Sequence, residues 1–160
     1  MEVGDKAYKF CLPDQNAQKI CIDNFFGQWV VLYFYPRDNT SGCTLEAKNF
    51  SDNLGDFEDL NAIVIGISPD SVNSHHKFCR KNKLRIILLS DREKKVMRKY
   101  GAWQKKKLYG REHFGVVRST FLINPGGNIV HKWEKVRVKG HVEEVKEILN
   151  KHRHKTQLKK

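Results

Sequence analysis

A chain of 160 residues, 39% hydrophobic and 30% charged, carries enough apolar material for a folded core, which excludes an intrinsically disordered chain. Its net charge of +12 admits nucleic acid, an anionic membrane surface or an acidic protein as partner. Much of that excess lies in Lys105, Lys106 and Lys107 and in a basic tail at about 151–160, with no nucleic-acid motif beside it, so a basic surface without a dedicated partner is the favoured reading and nucleic acid is disfavoured. No apolar run is long enough to cross a membrane, and the first residues lack the basic-then-apolar pattern of a secretory signal, so a cytoplasmic protein is expected.

Residues 8–12 and 18–22 read as an N-terminal β-hairpin around Pro13-Asp14-Gln15-Asn16. The run 29–35 is rich in β-branched and aromatic residues and reads as a buried strand, ended by Pro36, which cannot donate to a sheet ladder. Asp38, Asn39, Thr40, Ser41 and Gly42 are turn and helix-start residues. Ala47, Phe50, Leu54 and Phe57 then follow at helical spacing. A second buried strand is expected at 62–68, a helix from Ser71 to about Asn82 with Val72, His76 and Cys79 on one stripe, and a third strand at 84–89. Ser90 and Glu93 have the spacing of a capping box for a short helix carrying Val96, Met97 and Tyr100. Residues 102–117 read as a long loop. Strands 119–123 and 129–133 flank a turn at Asn124–Asn128, and the last helix is expected at about 140–152. This order predicts an α/β three-layer sandwich, a mixed central sheet with helices on both faces, in one domain over 1–160.

Of the four cysteines, Cys11, Cys21, Cys43 and Cys79, none forms a C-x-x-C pair, and Cys11 and Cys21 read as small apolar fillers. Cys43 falls in the first turn of the helix after Pro36. Unpaired N–H groups and the helix dipole there favour a thiolate, the reactive form of sulfur. A buried structural thiol is the competing reading from position alone.

The stretch Pro36-x-x-x-Thr40-x-x-Cys43 resembles the peroxiredoxin active-site motif. The fuller Tyr-Pro-x-Asp-Asn-Thr-x-Gly-Cys-Thr-x-Glu-Ala is similar to the bacterioferritin comigratory protein (PrxQ) subfamily. Tyr109-Gly110, the block Val117 to Ile123, and the N-terminal Gly4-Asp5 and Phe10-x-Leu12-Pro13-Asp14 extend the likeness over nearly the whole chain. The resemblance implies a thioredoxin-like fold and a peroxidase acting on hydrogen peroxide and alkyl hydroperoxides through a sulfenic acid on Cys43. No cofactor and no metal are implied. Reducing power would come from thioredoxin or a similar dithiol protein, and members of this subfamily are often monomers, with a dimer left open.

The same resemblance gives Arg118 a role against the reactive sulfur and substrate. Thr40 would donate its hydroxyl to the thiolate or peroxide, although its position also fits a plain helix N-cap. Pro36 would wall the pocket, and Glu46 is a candidate partner for the arginine. Many members place the second cysteine five residues after the first, where this chain has Lys48. Cys79 is then the candidate resolving thiol, as in members that carry it on the later helix, and reaching Cys43 would require local unwinding. An external thiol is the alternative. From a different class, a basic thioredoxin-fold binding protein with little turnover is the runner-up.

Overall fold

Asp14 folds the first turn by accepting hydrogen bonds from the backbone N–H groups of Asn16 and Gln18. The turn joins β1 (Cys11–Pro13) to β2 (Lys19–Cys21) in a computed structural model that describes residues 1–158. The expected filler cysteines stand directly opposite each other across this pair and form a disulfide, with Cα atoms 4.0 Å apart. Their ten-residue separation gave no C-x-x-C signal, and only the hairpin register brings them together.

The apolar run becomes β3 (Trp29–Phe34), six residues that are all buried. Alternation sends Trp29, Val31 and Tyr33 to one core and Val30, Leu32 and Phe34 to the other, so both faces of the sheet need cover. One face is covered by α1 (Ser41–Asp52), α2 (Leu54–Asp59), α3 (Val72–Asn82) and α5 (His141–Leu158). The other takes α4 (Lys95–Tyr100) and apolar residues Phe10 and Ile22 beside the hairpin. The central sheet adds β4 (Ala62–Ser68) and β5 (Ile87–Ser90) in parallel on one side of β3. On the other side β8 (Ser119–Ile123) runs antiparallel to β3, and β9 (Ile129–Trp133) antiparallel to β8. The order β5-β4-β3-β8-β9 is the mixed sheet of a thioredoxin-like sandwich.

Several local expectations are corrected. Residues 102–117 are not a loop but a hairpin of β6 (Trp103–Leu108) and β7 (Arg111–Val116). Tyr109 and Gly110 both take positive φ, the two-residue turn that matches strand twist, while the run of lysines hides the strand periodicity. The capping box does not form: Lys94 occupies the helix start, and Asp91 instead accepts from the Met97 N–H at 2.9 Å. On α3 the inward residues are His75, Phe78 and Cys79, whereas His76 is exposed. The last helix runs past its expected end near 152, carrying the basic tail in α5 through Leu158, with His152 against Trp29 and His131; Lys159 and Lys160 lie outside the described residues. No described helix is long and apolar enough to cross a membrane.

Candidate active site

Strand β3 ends at Phe34, and Tyr35 still bonds back to β4 through the Ile67 carbonyl. Pro36 then turns the chain away, half-buried, and Asn39 takes the left-handed conformation (φ 65°) that asparagine tolerates. Thr40 enters α1 with extended backbone, and Cys43 follows in the first turn, 2% exposed. The sulfur therefore sits where helix N–H groups are unpaired and the dipole is positive.

From the other side of β3 comes Arg118, just before β8. Its Nη2 donates to Cys43 Sγ at 3.3 Å, and its Nη1 donates to Glu46 Oε1 at 2.7 Å. Antiparallel pairing of Phe34 with Ser119 brings the end of one strand beside the start of the other, which is how residues 75 apart in sequence meet. Gly42 leaves room for the guanidinium: a Cβ there would lie 3.3 Å from Nη2. The guanidinium is 17% exposed and Glu46 fully buried, so this pair is largely shielded from water.

Burial drives the Glu46 carboxyl up to about 7, and the nearby Arg118 charge only partly opposes that. Its Oε2 is buried with no hydrogen-bond partner among the described residues, consistent with an incompletely stabilised carboxylate. Burial works against the charge on Arg118, but Glu46 and Cys43 outweigh it and push its pKa further up. The geometry thus holds a permanent cation against sulfur, and an anionic sulfur accepts that hydrogen bond best.

The other expected residues are placed less directly. The Thr40 hydroxyl donates to the Arg37 carbonyl at 2.9 Å, not to the helix or the sulfur. Cys79 lies on α3, 9% exposed, in the same core cluster as Cys43, and both thiols are free. Burial first, then the negative charges of Asp38 and Asp14, push the Cys79 thiol up to about 12. In this arrangement it is a poor nucleophile.

Sequence reasoning missed a buried cluster beside the site. Asp38, Asp70 and His75 bring their ligand-type atoms within 4.8 Å of one another. Tyr35 Oη donates to Asp38 Oδ1 at 2.6 Å, Ser74 Oγ donates to Oδ2 at 2.8 Å, and the Asp38 N–H donates to Asp70 at 2.8 Å. Donors and acceptors match one another, which suits a hydrogen-bond network. The adjacency of His75 and His76 hid it. Their helical phase relative to Phe78 was the available signal, since residues three apart share a face.

A cysteine held by arginine at a helix start on this sheet defines a thiol peroxidase of the thioredoxin fold. The AhpC/TSA family model matches residues 3–132, and the chain belongs to that family. It is 47% identical to a putative peroxiredoxin, Bcp, of Helicobacter pylori over 149 residues, covering 93% of this chain and 98% of that protein. It is 42% identical to the peroxiredoxin Bcp of Bacillus subtilis, with 93% and 95% covered. The bacterioferritin comigratory protein of Xanthomonas campestris, whose solved structure was described for its alkyl peroxide reduction activity, superposes with a TM-score of 0.89 at 34% identity, covering 96% of this chain and 98% of that one. The protein is accordingly a peroxiredoxin of the bacterioferritin comigratory type and a thiol-dependent peroxidase.

Proposed function

We propose that Cys43 reduces hydrogen peroxide and organic hydroperoxides, that Cys79 resolves the product, and that a thioredoxin-type dithiol protein restores both thiols in the cytoplasm, with the chain acting as a monomer. The observation that carries this reading is the 3.3 Å contact from Arg118 to the Cys43 sulfur in the first turn of α1.

The Cys43 thiolate attacks one peroxide oxygen, an S–O bond forms and the O–O bond breaks. The departing oxygen gains negative charge and leaves as water or alcohol after taking a proton. Arg118, fixed by Glu46, supplies N–H donors where that charge develops, so stabilisation grows toward the transition state. The Thr40 hydroxyl rotates from the Arg37 carbonyl to hydrogen-bond the peroxide, and Pro36, with no N–H of its own, walls the pocket. The Cys79 sulfur then attacks the sulfenic sulfur, an S–S bond forms, and the oxygen leaves as water. Two electrons from the dithiol partner complete the cycle.

The test is peroxide consumption with a dithiol reductant, followed by peptide mass spectrometry under non-reducing conditions. Turnover is expected to vanish in Cys43→Ser, and one equivalent of peroxide should give a Cys43–Cys79 linkage. Undiminished turnover in Cys43→Ser would remove the nucleophile assignment. A stable Cys43 sulfenic acid without that linkage would transfer resolution to an external thiol.

A further inference from the structure

The Asp38 and His75 side chains are 1% and 0% exposed and lie 2.7 Å apart through Oδ2 and Nδ1. The opposite ring nitrogen, Nε2, lies 3.0 Å from the Leu89 carbonyl oxygen. Both ring nitrogens are thus engaged, with the Tyr35 and Ser68 hydroxyls also 3.4 Å from Nδ1 and Nε2, respectively. The pair is therefore a short hydrogen-bonded contact in a site sealed from water, where breaking it leaves buried polar groups without partners.

Its position matters more than its strength. Asp38 belongs to the loop that runs through Thr40 into Cys43, while His75 lies one helical turn before Cys79 on the same inward stripe of α3. Ser74 Oγ adds a second bond from α3 to the same carboxylate oxygen. Asp70 extends the network, accepting from the Asp38 N–H and from Ser68 Oγ at 2.7 Å. The two thiols are free, and each is held in a helix packed against the sheet. Moving α3 away from the nucleophile loop breaks this buried contact and the Ser74 hydrogen bond together, and only the Asp70 carboxylate, within 4.8 Å of both side chains, remains near the ring.

We propose that the Asp38–His75 pair is a latch between the nucleophile loop and the Cys79 helix, with His75 a positioning residue whose release sets the rate at which Cys79 reaches oxidised Cys43. This rests on the reading of Cys79 as the resolving thiol. While the latch is closed, Cys43 is held for peroxide attack and Cys79 stays buried beside the Asp38 charge. When it opens, Cys79 gains water and the freedom to attack the sulfenic sulfur. The S–S bond forms, the S–O bond breaks, and the oxygen leaves as water.

The test separates the two chemical steps. Stopped-flow oxidation of Cys43 gives the second-order step, and acid-quenched non-reducing mass analysis gives the first-order formation of the Cys43–Cys79 disulfide. His75→Asn is expected to speed disulfide formation at least about tenfold while changing Cys43 oxidation by less than about threefold, because it raises the open population of α3. Over-oxidation of Cys43 to sulfinic acid at a fixed peroxide dose should fall in step. Ile129→Ala, which weakens the core on the opposite face of the sheet, should leave the ratio of the two rates unchanged. An unchanged or slower disulfide step in His75→Asn, or an equal acceleration in Ile129→Ala, overturns the latch. If His75→Asn does not fold, Ser74→Ala removes a single donor to Asp38 and should still speed the step about twofold or more, and no change there also overturns it. Absence of the disulfide in the wild-type chain defeats the Cys79 reading and the latch together. A normal disulfide whose rate ignores these variants defeats the latch alone.

Discussion

Arg118 reaches Cys43 across the end of the sheet, with Nη2 3.3 Å from the sulfur and Nη1 held by Glu46 at 2.7 Å. The guanidinium fork is thereby shared between one group that orients it and one that reacts. Lysine, with a point charge on a flexible stem, does not hold both contacts in fixed geometry.

Gly42 is the clearest neighbour through which to perturb this geometry. A Cβ in Gly42→Ala would lie 3.3 Å from Arg118 Nη2, so the guanidinium must give by a few tenths of an ångström. Alanine is also the better helix former by about 1 kcal/mol. We expect an unchanged or higher unfolding midpoint together with a peroxide kcat/KM lowered about three- to tenfold, because small displacements at a reacting centre are costly. Equal activity in the two proteins would mean that the arginine position is not critical on this scale.

Glu46 predicts a pH signature. Its folded-state carboxyl is raised, chiefly by burial, from an ordinary 4.5 to about 7, so the folded state holds the proton more tightly than the unfolded one. That contribution to stability is complete below about 4.5 and is lost as pH rises through about 7. Glu46→Gln cannot lose the proton. The stability of the variant relative to wild type should therefore increase between pH 5 and pH 8, measured by urea unfolding at each pH (about the span of the shift). Parallel curves would contradict the assignment.

His141 has the opposite sign. Burial lowers its pKa from an ordinary 6.5 to about 4, with the Arg118 charge acting the same way and Glu144 against it. Its Nε2 lies 2.8 Å from Thr120 Oγ1, and its ring packs edge-on against Phe50 and Trp133. The stability from this neutral ring is present above about 6.5 and is lost as pH falls through about 4. His141→Gln should lack this acid-side loss, and urea unfolding of both proteins down that range would reveal it. An identical acid slope would place the loss elsewhere.

Much of this was readable in the chain itself. The unbroken apolar run of β3, the helical spacing after Cys43 and the Asn124–Asn128 turn dictated the sheet and its cover. Arg118 was legible only through resemblance, because its contact depends on the Phe34–Ser119 register of two distant strands. The 103–116 hairpin was obscured because exposed lysines interrupt the apolar alternation that marks a strand. The Asp38–His75 pair was missed for a related reason: one partner looked like a turn residue and the other like one of two adjacent histidines, and only tertiary packing joins them.

The Cys11–Cys21 disulfide staples a hairpin whose tip is docked on β5. Gln15 Nε2 donates to the Ile86 carbonyl, and Gln15 Oε1 accepts from the Leu88 N–H. Replacing both cysteines by serine should lower stability by about 2–3 kcal/mol, the range for closing a short loop. The comparison is urea unfolding of the oxidised wild type and the double variant without reductant. Coincident curves would show that the link contributes nothing to folding.

The most direct measurement of the central claim is the second-order rate of Cys43 oxidation in Arg118→Ala, followed by sulfenic acid trapping, with circular dichroism confirming the fold. Loss of a positioned cationic donor at the reacting sulfur predicts a rate lower by about 10²–10³-fold. A rate within about threefold of wild type would contradict the claim that this guanidinium stabilises the transition state.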